Sequence, residues 1–267
     1  MNSETKVIIL AGGEGKRLRP LTDEKPKCMV EIFGKPILEH QINSLRECQI
    51  SDITVITGYR SEKINFPNIN YVKNKDYEKT NMLNALFLVP EKLDGSVIIS
   101  YGDIIYEKNI IMKLLDTKND FSVVVDKKWK QLWDIRFEKP LDDAESLKID
   151  ENGNITEIGQ KVKKMEEIQG QFIGLMKFEN NGLKILKKYY EDFRLKSESE
   201  KTNVLNSKLP FECSFMTDFL QALIKCGIKL KSVNIDGGWL ELDSTSDFKK
   251  YNELYAEGKL STLLSLL

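Results

Sequence analysis

Val7-Ile-Ile-Leu-Ala-Gly-Gly-Glu-Gly-Lys-Arg-Leu-Arg-Pro-Leu-Thr22, continued by Lys25-Pro-Lys27, decides how this 267-residue chain is to be read. The apolar run Val7 to Leu10 has the pattern of a buried strand, and it empties through Ala11 into a loop holding Gly12, Gly13 and Gly15 among Lys16, Arg17, Arg19, Lys25 and Lys27. Glycines let a backbone turn sharply and bring its N–H groups close to a polyphosphate, and the basic side chains supply countercharge. Two common phosphate motifs are excluded. A P-loop requires Ser or Thr after Gly-Lys, where Arg17 stands, and a first glycine five positions before Gly15, where Leu10 stands. A dinucleotide fingerprint requires a small residue three after Gly15, where Leu18 stands.

Working outward, strand-like and helical patterns alternate: Ile53 to Thr57, Val97 to Ser100 and Phe121 to Val125 extended, with Pro36 to Cys48, Asn81 to Val89 and Asn109 to Asp116 helical between them. Such alternation predicts an α/β fold, a mostly parallel sheet with helices on both faces. Ligands of such sheets sit at the carboxyl ends of the strands, so the glycine loop after Leu10 and Asp103 after Ser100 are expected to converge on one crevice. Beyond Asp126 the pattern becomes that of short antiparallel strands, Ser146 to Ile149, Ile155 to Ile158 and Ile168 to Phe178. Residues 127–178 therefore read as an acceptor-side insertion within a single domain spanning 1–267. Helical patterns return at Gly182 to Arg194 and Ser214 to Cys226, with Lys196 to Lys208 read as a polar loop between them.

Composition bounds the function. Forty Lys and Arg balance 41 Asp and Glu without blocks of one sign, which argues against nucleic acid or a membrane surface as partner. Cys28, Cys48, Cys213 and Cys226 are far apart, so neither a zinc site nor a disulfide scaffold is expected. Met1 to Lys6 holds no signal-like apolar core, and a cytoplasmic protein is expected. The leucine-rich tail Leu260 to Leu267, too short to span a bilayer, reads as a packed last turn or a homodimer contact.

Two carboxylates stand out. Asp103 follows a buried strand with Gly102 between, so it can project into the crevice; Asp243, in Trp239-Leu-Glu-Leu-Asp243, alternates with Leu240 and Leu242 and shares a side with Glu241. Mg2+ takes one or two such hard oxygens together with phosphates and water. Asp236 competes with Asp243, although its two following glycines suit a turn. Ser244 or Asp247 reads as the cap of a following helix. The single His40 lies in a helical pattern and no general base is demanded, because a phosphate nucleophile is already ionised near neutral pH.

The pattern G-x-G-x-R-L-x-P-L-T with its later P-K resembles the signature of nucleotidyltransferases that activate phosphorylated small molecules with an NTP. Lys79-Thr-Asn-Met82, Ile99-Ser-Tyr-Gly-Asp103, Val123 to Arg136 and Pro140 to Lys148 narrow the resemblance to a cytidylyltransferase branch with phosphocholine, aminoethylphosphonate and phosphoglutamine acceptors, serving capsule synthesis. The resemblance implies a Rossmann-like nucleotidyltransferase fold, CTP and Mg2+ as partners, and a small phosphorylated acceptor. It assigns Leu10, Ala11, Gly12, Gly13, Glu14, Gly15 and Lys16, then Gly58, Tyr59, Lys79, Thr80, Asn81 and Tyr101, to the nucleotide. Arg17 and Lys16 are expected at the β- and γ-phosphates, Lys27 at the α-phosphate and attacking group, and Lys161 at the acceptor phosphate, with Asp103 and Asp243 holding the metal. Asn81 reads equally as a helix cap, and these residues do not choose between cytosine and another pyrimidine.

For the acceptor, Trp129, Trp133 and Arg136 offer aromatic faces for an amine and a fork for a carboxylate or phosphate, while the same tryptophans read equally well as core. Asp126, Asp142, Asp143 and Glu145 are further candidates for the amine. Gly170 and Gly174, on either side of Gln171, suggest an acceptor lying close to the backbone, and Thr217-Asp218 reads either as pocket floor or as helix packing. The rival readings are a sugar-1-phosphate thymidylyl- or uridylyltransferase and a nucleotide-sensing subunit without turnover.

Overall fold

Burial on both faces is what the apolar runs demand, and the computed structural model, which describes residues 5–265, supplies it. In chain order the strands are β1 (Thr5–Ala11), β2 (Glu31–Ile32), β3 (Lys35–Pro36), β4 (Ile53–Thr57), β5 (Asn70–Lys73), β6 (Ser96–Tyr101), β7 (Ile104–Tyr106), β8 (Phe121–Asp126), β9 (Glu145–Ile149), β10 (Asn154–Lys161), β11 (Gln171–Glu179), β12 (Leu230–Ile235) and β13 (Trp239–Glu241). The helices are α1 (Ile37–Glu47), α2 (Met82–Leu86), α3 (Lys108–Leu115), α4 (Trp129–Arg136), α5 (Asn180–Glu200), α6 (Met216–Lys225) and α7 (Thr245–Ala256).

Among the described residues nine strands form one twisted sheet in the order β5-β4-β1-β6-β11-β8-β12-β10-β9. β5, β4, β1 and β6 run parallel, as do β8 and β12, while β11 runs antiparallel to both β6 and β8. One apolar layer, built on Val7, Ile9, Ile98, Leu38 and Ile111, covers one face; the other, built on Ile8, Ile99, Met176, Phe178, Leu186 and Phe219, covers the opposite face. Val7 to Ile9 are fully buried because successive residues of a strand point alternately into these two layers. β1 has β4 on one side and β6 on the other, so the strand order reverses there. A crevice opens at their carboxyl ends.

The expected insertion 127–178 takes a different form. β11 lies in mid-sheet between β6 and β8, and β9 and β10 extend the sheet's far edge rather than forming a separate layer. Its strands were legible, but the partners of a strand are chosen by burial across the whole sheet, which local pattern does not encode. Residues 129–136, left without a helix by the sequence reading, form α4. The polar segment 196–208 is also revised: α5 continues to Glu200, its exposed face laced by Lys188–Asp192, Arg194–Glu198 and Lys196–Glu200 pairs at helical spacing. At the C-terminal end Leu260, Leu263 and Leu264 are buried, and Leu263 O accepts from Gly238 N at 2.9 Å, so this part of the tail packs on its own chain; Leu266 and Leu267 lie outside the described residues, as do Met1 to Glu4. No helix among the described residues is long and apolar enough to cross a membrane.

Candidate active site

The glycine loop is held open by its own hydrogen bonds. Gly15 sits at φ 71°, and Gly15 O accepts from Leu18 N at 2.8 Å and from Thr22 Oγ1 at 2.9 Å. A Cβ at Gly15 would come within 2.9 Å of Lys27 Cβ, so glycine is required there both for conformation and for the approach of Lys27. Gly102 packs against Ala11, where an added Cβ would meet its Cα at 2.8 Å, and Gly102 N donates to Leu10 O. This close approach brings Asp103 beside the glycine loop. Asp243 arrives from the other direction: β13 pairs with β7, and Leu242 N donates to Asp103 O at 3.0 Å.

The two carboxylates, 140 positions apart in sequence, meet on one ammonium. Lys27 Nζ lies 2.8 Å from Asp103 Oδ2 and 2.6 Å from Asp243 Oδ1, and Arg17 pairs with the other oxygen of Asp243. Burial works against the Lys27 ammonium, but Asp103, Asp243 and Glu241 outweigh it and hold its pKa above the ordinary lysine range. Burial likewise opposes ionisation of Asp243, yet Lys27, Arg17 and Arg136 together hold its carboxyl below the usual range. Asp103 Oδ1 is buried and has no hydrogen-bond partner.

These residues open onto a cleft of about 800 Å³. Leu10, Ala11, Gly12, Gly13, Glu14, Gly15, Lys16, Arg17, Lys27, Thr80, Asn81, Asp103 and Asp243 all line it, as the sequence reading expected. Asn81 faces the cleft, and its Oδ1 accepts from Met82 N at 2.8 Å to cap α2. Gly58, Tyr59, Lys79 and Tyr101 are not part of the lining. Gly58 and Tyr59 instead brace the loop, Tyr59 N donating to Gly12 O at 3.2 Å, and Lys79 O accepts from Cys213 Sγ. Asn74, Met82 and Ala85 line the cleft but were missed. Asn74 follows β5 directly and holds Thr80 Oγ1 at 2.8 Å, so recognising Asn70–Lys73 as a strand would have flagged it. His40, half-buried, contacts Ile32 O at 2.9 Å, and burial lowers its pKa; it stands apart from the cleft.

The acceptor assignments divide. Trp129 and Trp133 do not form a cage: they are 5% and 4% exposed, packed edge to face on each other and, through Trp133, on Trp239, so all three tryptophans of the chain share one apolar cluster. Asp126 is not open to an amine either. Its carboxylate accepts from Trp239 Nε1 at 2.8 Å, Lys128 N at 2.8 Å and Gly237 N at 3.0 Å, and burial raises its pKa. Gln171 is buried and returns both ends of its amide to the Glu145 backbone. What approaches the neighbouring glycines is protein: a Cβ at Gly170 would strike Val125 Cγ1 at 2.5 Å, and one at Gly174 would strike the Tyr101 ring at 2.6 Å. Arg136 is buried against Glu241 and Asp247. In each case a side chain suited to a ligand is packed or paired within its own fold, although Trp133 Nε1 is buried without a hydrogen-bond partner among the described residues, and sequence spacing cannot reveal such packing.

Other residues keep the role open. Lys161 ends β10, paired across from Glu145, with an exposed side chain. Solvent reaches the Glu145 carboxyl, but the enclosing wall together with Asp143, Asp218 and Glu241 pushes it up to about 7. Burial together with Asp103, Glu145, Glu241 and Asp218 raises the pKa of Tyr101. Asp218 accepts from Phe215 N at 3.0 Å and so caps α6, and Thr217 packs on Gly159. Asp236, the rival of Asp243, is exposed on the turn before β13.

A glycine loop and two distant carboxylates thus share one cleft. The MobA-like NTP transferase domain model matches residues 7–153. The chain belongs to this family of NTP transferases. Within this family's wider kinship, the chain is 40% identical over 255 residues to the CTP:phosphoglutamine cytidylyltransferase of Campylobacter jejuni subsp. jejuni serotype O:2, covering 91% of this chain and 97% of that protein. It is 38% identical over 122 residues to the choline-phosphate cytidylyltransferase of Streptococcus pneumoniae, 44% of this chain and 53% of that one. The solved CTP:phosphocholine cytidylyltransferase of Streptococcus pneumoniae shares the NTP transferase fold, with a TM-score of 0.71 at 22% identity over 94% of this chain and 99% of that one.

Proposed function

We propose that this NTP transferase moves a cytidylyl group from CTP to a small, amine-bearing phosphate or phosphonate of the phosphoglutamine, phosphocholine or aminoethylphosphonate class, releasing pyrophosphate. The observation that carries the reading is the meeting of Asp103 and Asp243 on Lys27 at the mouth of the glycine-loop cleft. Likeness to the phosphoglutamine enzyme over nearly its whole length supports the choice of nucleotide and acceptor class. On this reading the enzyme works in the cytoplasm and supplies activated groups for modifying cell-surface polysaccharide; its homodimerisation is tested by sedimentation.

Asp103 and Asp243 are the residues that would hold Mg2+. The fit rests on hard oxygen donors, an unpartnered buried oxygen at Asp103, and a pair of carboxylates that already enclose a positive charge. When bound, the metal supplies charge neutralisation at the phosphates. The chain's own groups do the rest. Arg17 and Lys16 pair with the β- and γ-phosphates, and Lys27, turning from the carboxylates, steadies the α-phosphate. An acceptor phosphate oxygen attacks the α-phosphorus in line as the bond to the bridging oxygen of pyrophosphate breaks, and no proton need be removed. Rate enhancement on this scheme comes from positioning and fixed charge. Lys161 meets the acceptor phosphate, and the acids grouped around Glu145 suit an acceptor ammonium.

The test is a pyrophosphate-release screen of four NTPs against phosphoglutamine, phosphocholine, aminoethylphosphonate, glycerol phosphate and hexose 1-phosphates. Turnover with CTP and an amine-bearing acceptor is expected. Turnover only with UTP or dTTP and a hexose 1-phosphate would replace the proposal by the sugar-nucleotide reading. Binding of CTP with no pyrophosphate from any acceptor would replace it by the sensing reading.

A further inference from the structure

Among the described residues Arg136 is the buried side chain with the most carboxylate partners, and nothing in the transfer scheme uses it. Its guanidinium, 1% exposed, sits on α4 between acids from two other elements. Nη1 pairs with Glu241 on β13, Nε donates to Asp247 Oδ1 on α7 at 3.3 Å, and Nη2 lies 4.0 Å from Asp243 Oδ2. The faces of Trp133 and Phe137 lie 5.3 and 4.9 Å from its central carbon. Asp247 in turn accepts from Asp243 N at 3.1 Å and Ser244 N at 2.9 Å through its second oxygen. One planar fork therefore fixes both sides of the turn that carries Asp243.

We propose that Arg136 is a positioning residue: it fixes Glu241 and Asp247 so that the Asp243 carboxylate stays aimed at Asp103 when nucleotide draws Lys27 and Arg17 away. The inference rests on the proposed metal role of Asp103 and Asp243. Three cations face Asp243, but they are not equivalent. Lys27 and Arg17 line the cleft and can exchange one anionic partner for another; Arg136 is sealed beneath it and cannot follow the triphosphate. A buried ion network is weak evidence for stability, since apolar replacements are often neutral or better, so a role in aiming the ligand is the more economical reason for placing a desolvated guanidinium here. Lysine would not substitute, because a single ammonium lacks the fork that spans two carboxylates.

The test reads metal affinity rather than turnover. Mn2+ binding is followed by electron paramagnetic resonance with a non-hydrolysable α,β-methylene CTP, in wild type, Arg136→Met, Arg136→Lys, Asp243→Asn and the double variant Arg136→Met/Asp243→Asn, with thermal melts alongside. Residues that orient a metal ligand typically change affinity about 10- to 100-fold, and a loss of that size is expected for folded Arg136→Met, with Arg136→Lys recovering little of it. Because Arg136 acts through Asp243, the double variant is expected to bind no more weakly than Asp243→Asn alone. Wild-type affinity in folded Arg136→Met, or fully additive losses in the double variant, overturns the inference while leaving the proposed function standing. Should Arg136→Met not fold, Asp247→Asn takes its place: a similar loss supports the inference and unchanged affinity overturns it. Failure of the wild-type protein to bind Mn2+ with the analogue would overturn the proposed function and the inference together.

Discussion

The loop Gly12 to Lys27 brings charged side chains, and the segment Asp126 to Gln171 charged and aromatic ones, to the carboxyl side of the same sheet, yet the two use them in opposite ways. In the first, Arg17 keeps 67% of its side chain exposed and pairs with Asp243 across the cleft mouth. In the second, Arg136 pairs with acids around that same turn from below, 1% exposed, and Trp129, Trp133 and Asp126 are consumed by packing and internal hydrogen bonds. Residue type announces chemistry only where the backbone leaves the side chain unsatisfied. In the first segment Lys16 and Arg17 stay exposed at the cleft, while Lys27 is buried between Asp103 and Asp243.

The sharpest break between the two regions should come from substitutions of equal drama and different consequence. Asp103→Asn is expected to lower pyrophosphate release by about 10³-fold or more while the melting temperature changes little, as removal of a transition-state charge partner does. Near-normal turnover would place Asp103 with the structural acids instead. Trp133→Ala should do the reverse, costing about 3–5 kcal/mol of stability, read by denaturant unfolding, with acceptor KM unchanged in the folded fraction. A raised KM at undiminished stability would restore the aromatic cage and erase the contrast.

Two smaller effects refine the boundary on the acceptor side. Lys161→Ala should raise acceptor KM about tenfold, the worth of one lost charge-assisted hydrogen bond, with CTP KM unaltered. A change confined to CTP would move Lys161 to the nucleotide side. Glu145, pushed up to about 7 from an ordinary 4.5, gives a pH signature. If its ionised form holds the acceptor amine, kcat/KM for the acceptor rises a few-fold as pH passes through about 7, and Glu145→Gln flattens that rise. Stability has the opposite sign. The native state holds this proton more tightly than the unfolded chain, so the contribution of Glu145 is greatest below pH 4.5 and is lost as pH rises to about 7. A pH profile identical in Glu145→Gln would remove the residue from the acceptor end.

Much of the nucleotide half was legible. Val7 to Leu10 could only be a buried strand, Ile53 to Thr57 is bounded in the structure as its pattern suggests, and Asp103 and Asp243 could be singled out as acids placed after apolar extended segments. The acceptor half was legible as strands but not as partners. Nothing within Gln171 to Glu179 says that it inserts between β6 and β8, and nothing near Gly174 says that the ring it accommodates is Tyr101, 73 positions earlier.

The sequence by itself determined that a glycine-rich, cationic turn follows the first buried strand, because glycines and basic residues state backbone freedom and charge locally. It also determined that two acids would be available, and that alternating strands and helices would gather them at one edge. Only the tertiary structure decided that Lys27 stands between those acids, that Arg136 lies under one of them, and that the tryptophans face inward. These are outcomes of pairing and burial between segments far apart in the chain, where a side chain's partner is set by which surfaces exclude water together and not by its neighbours in sequence.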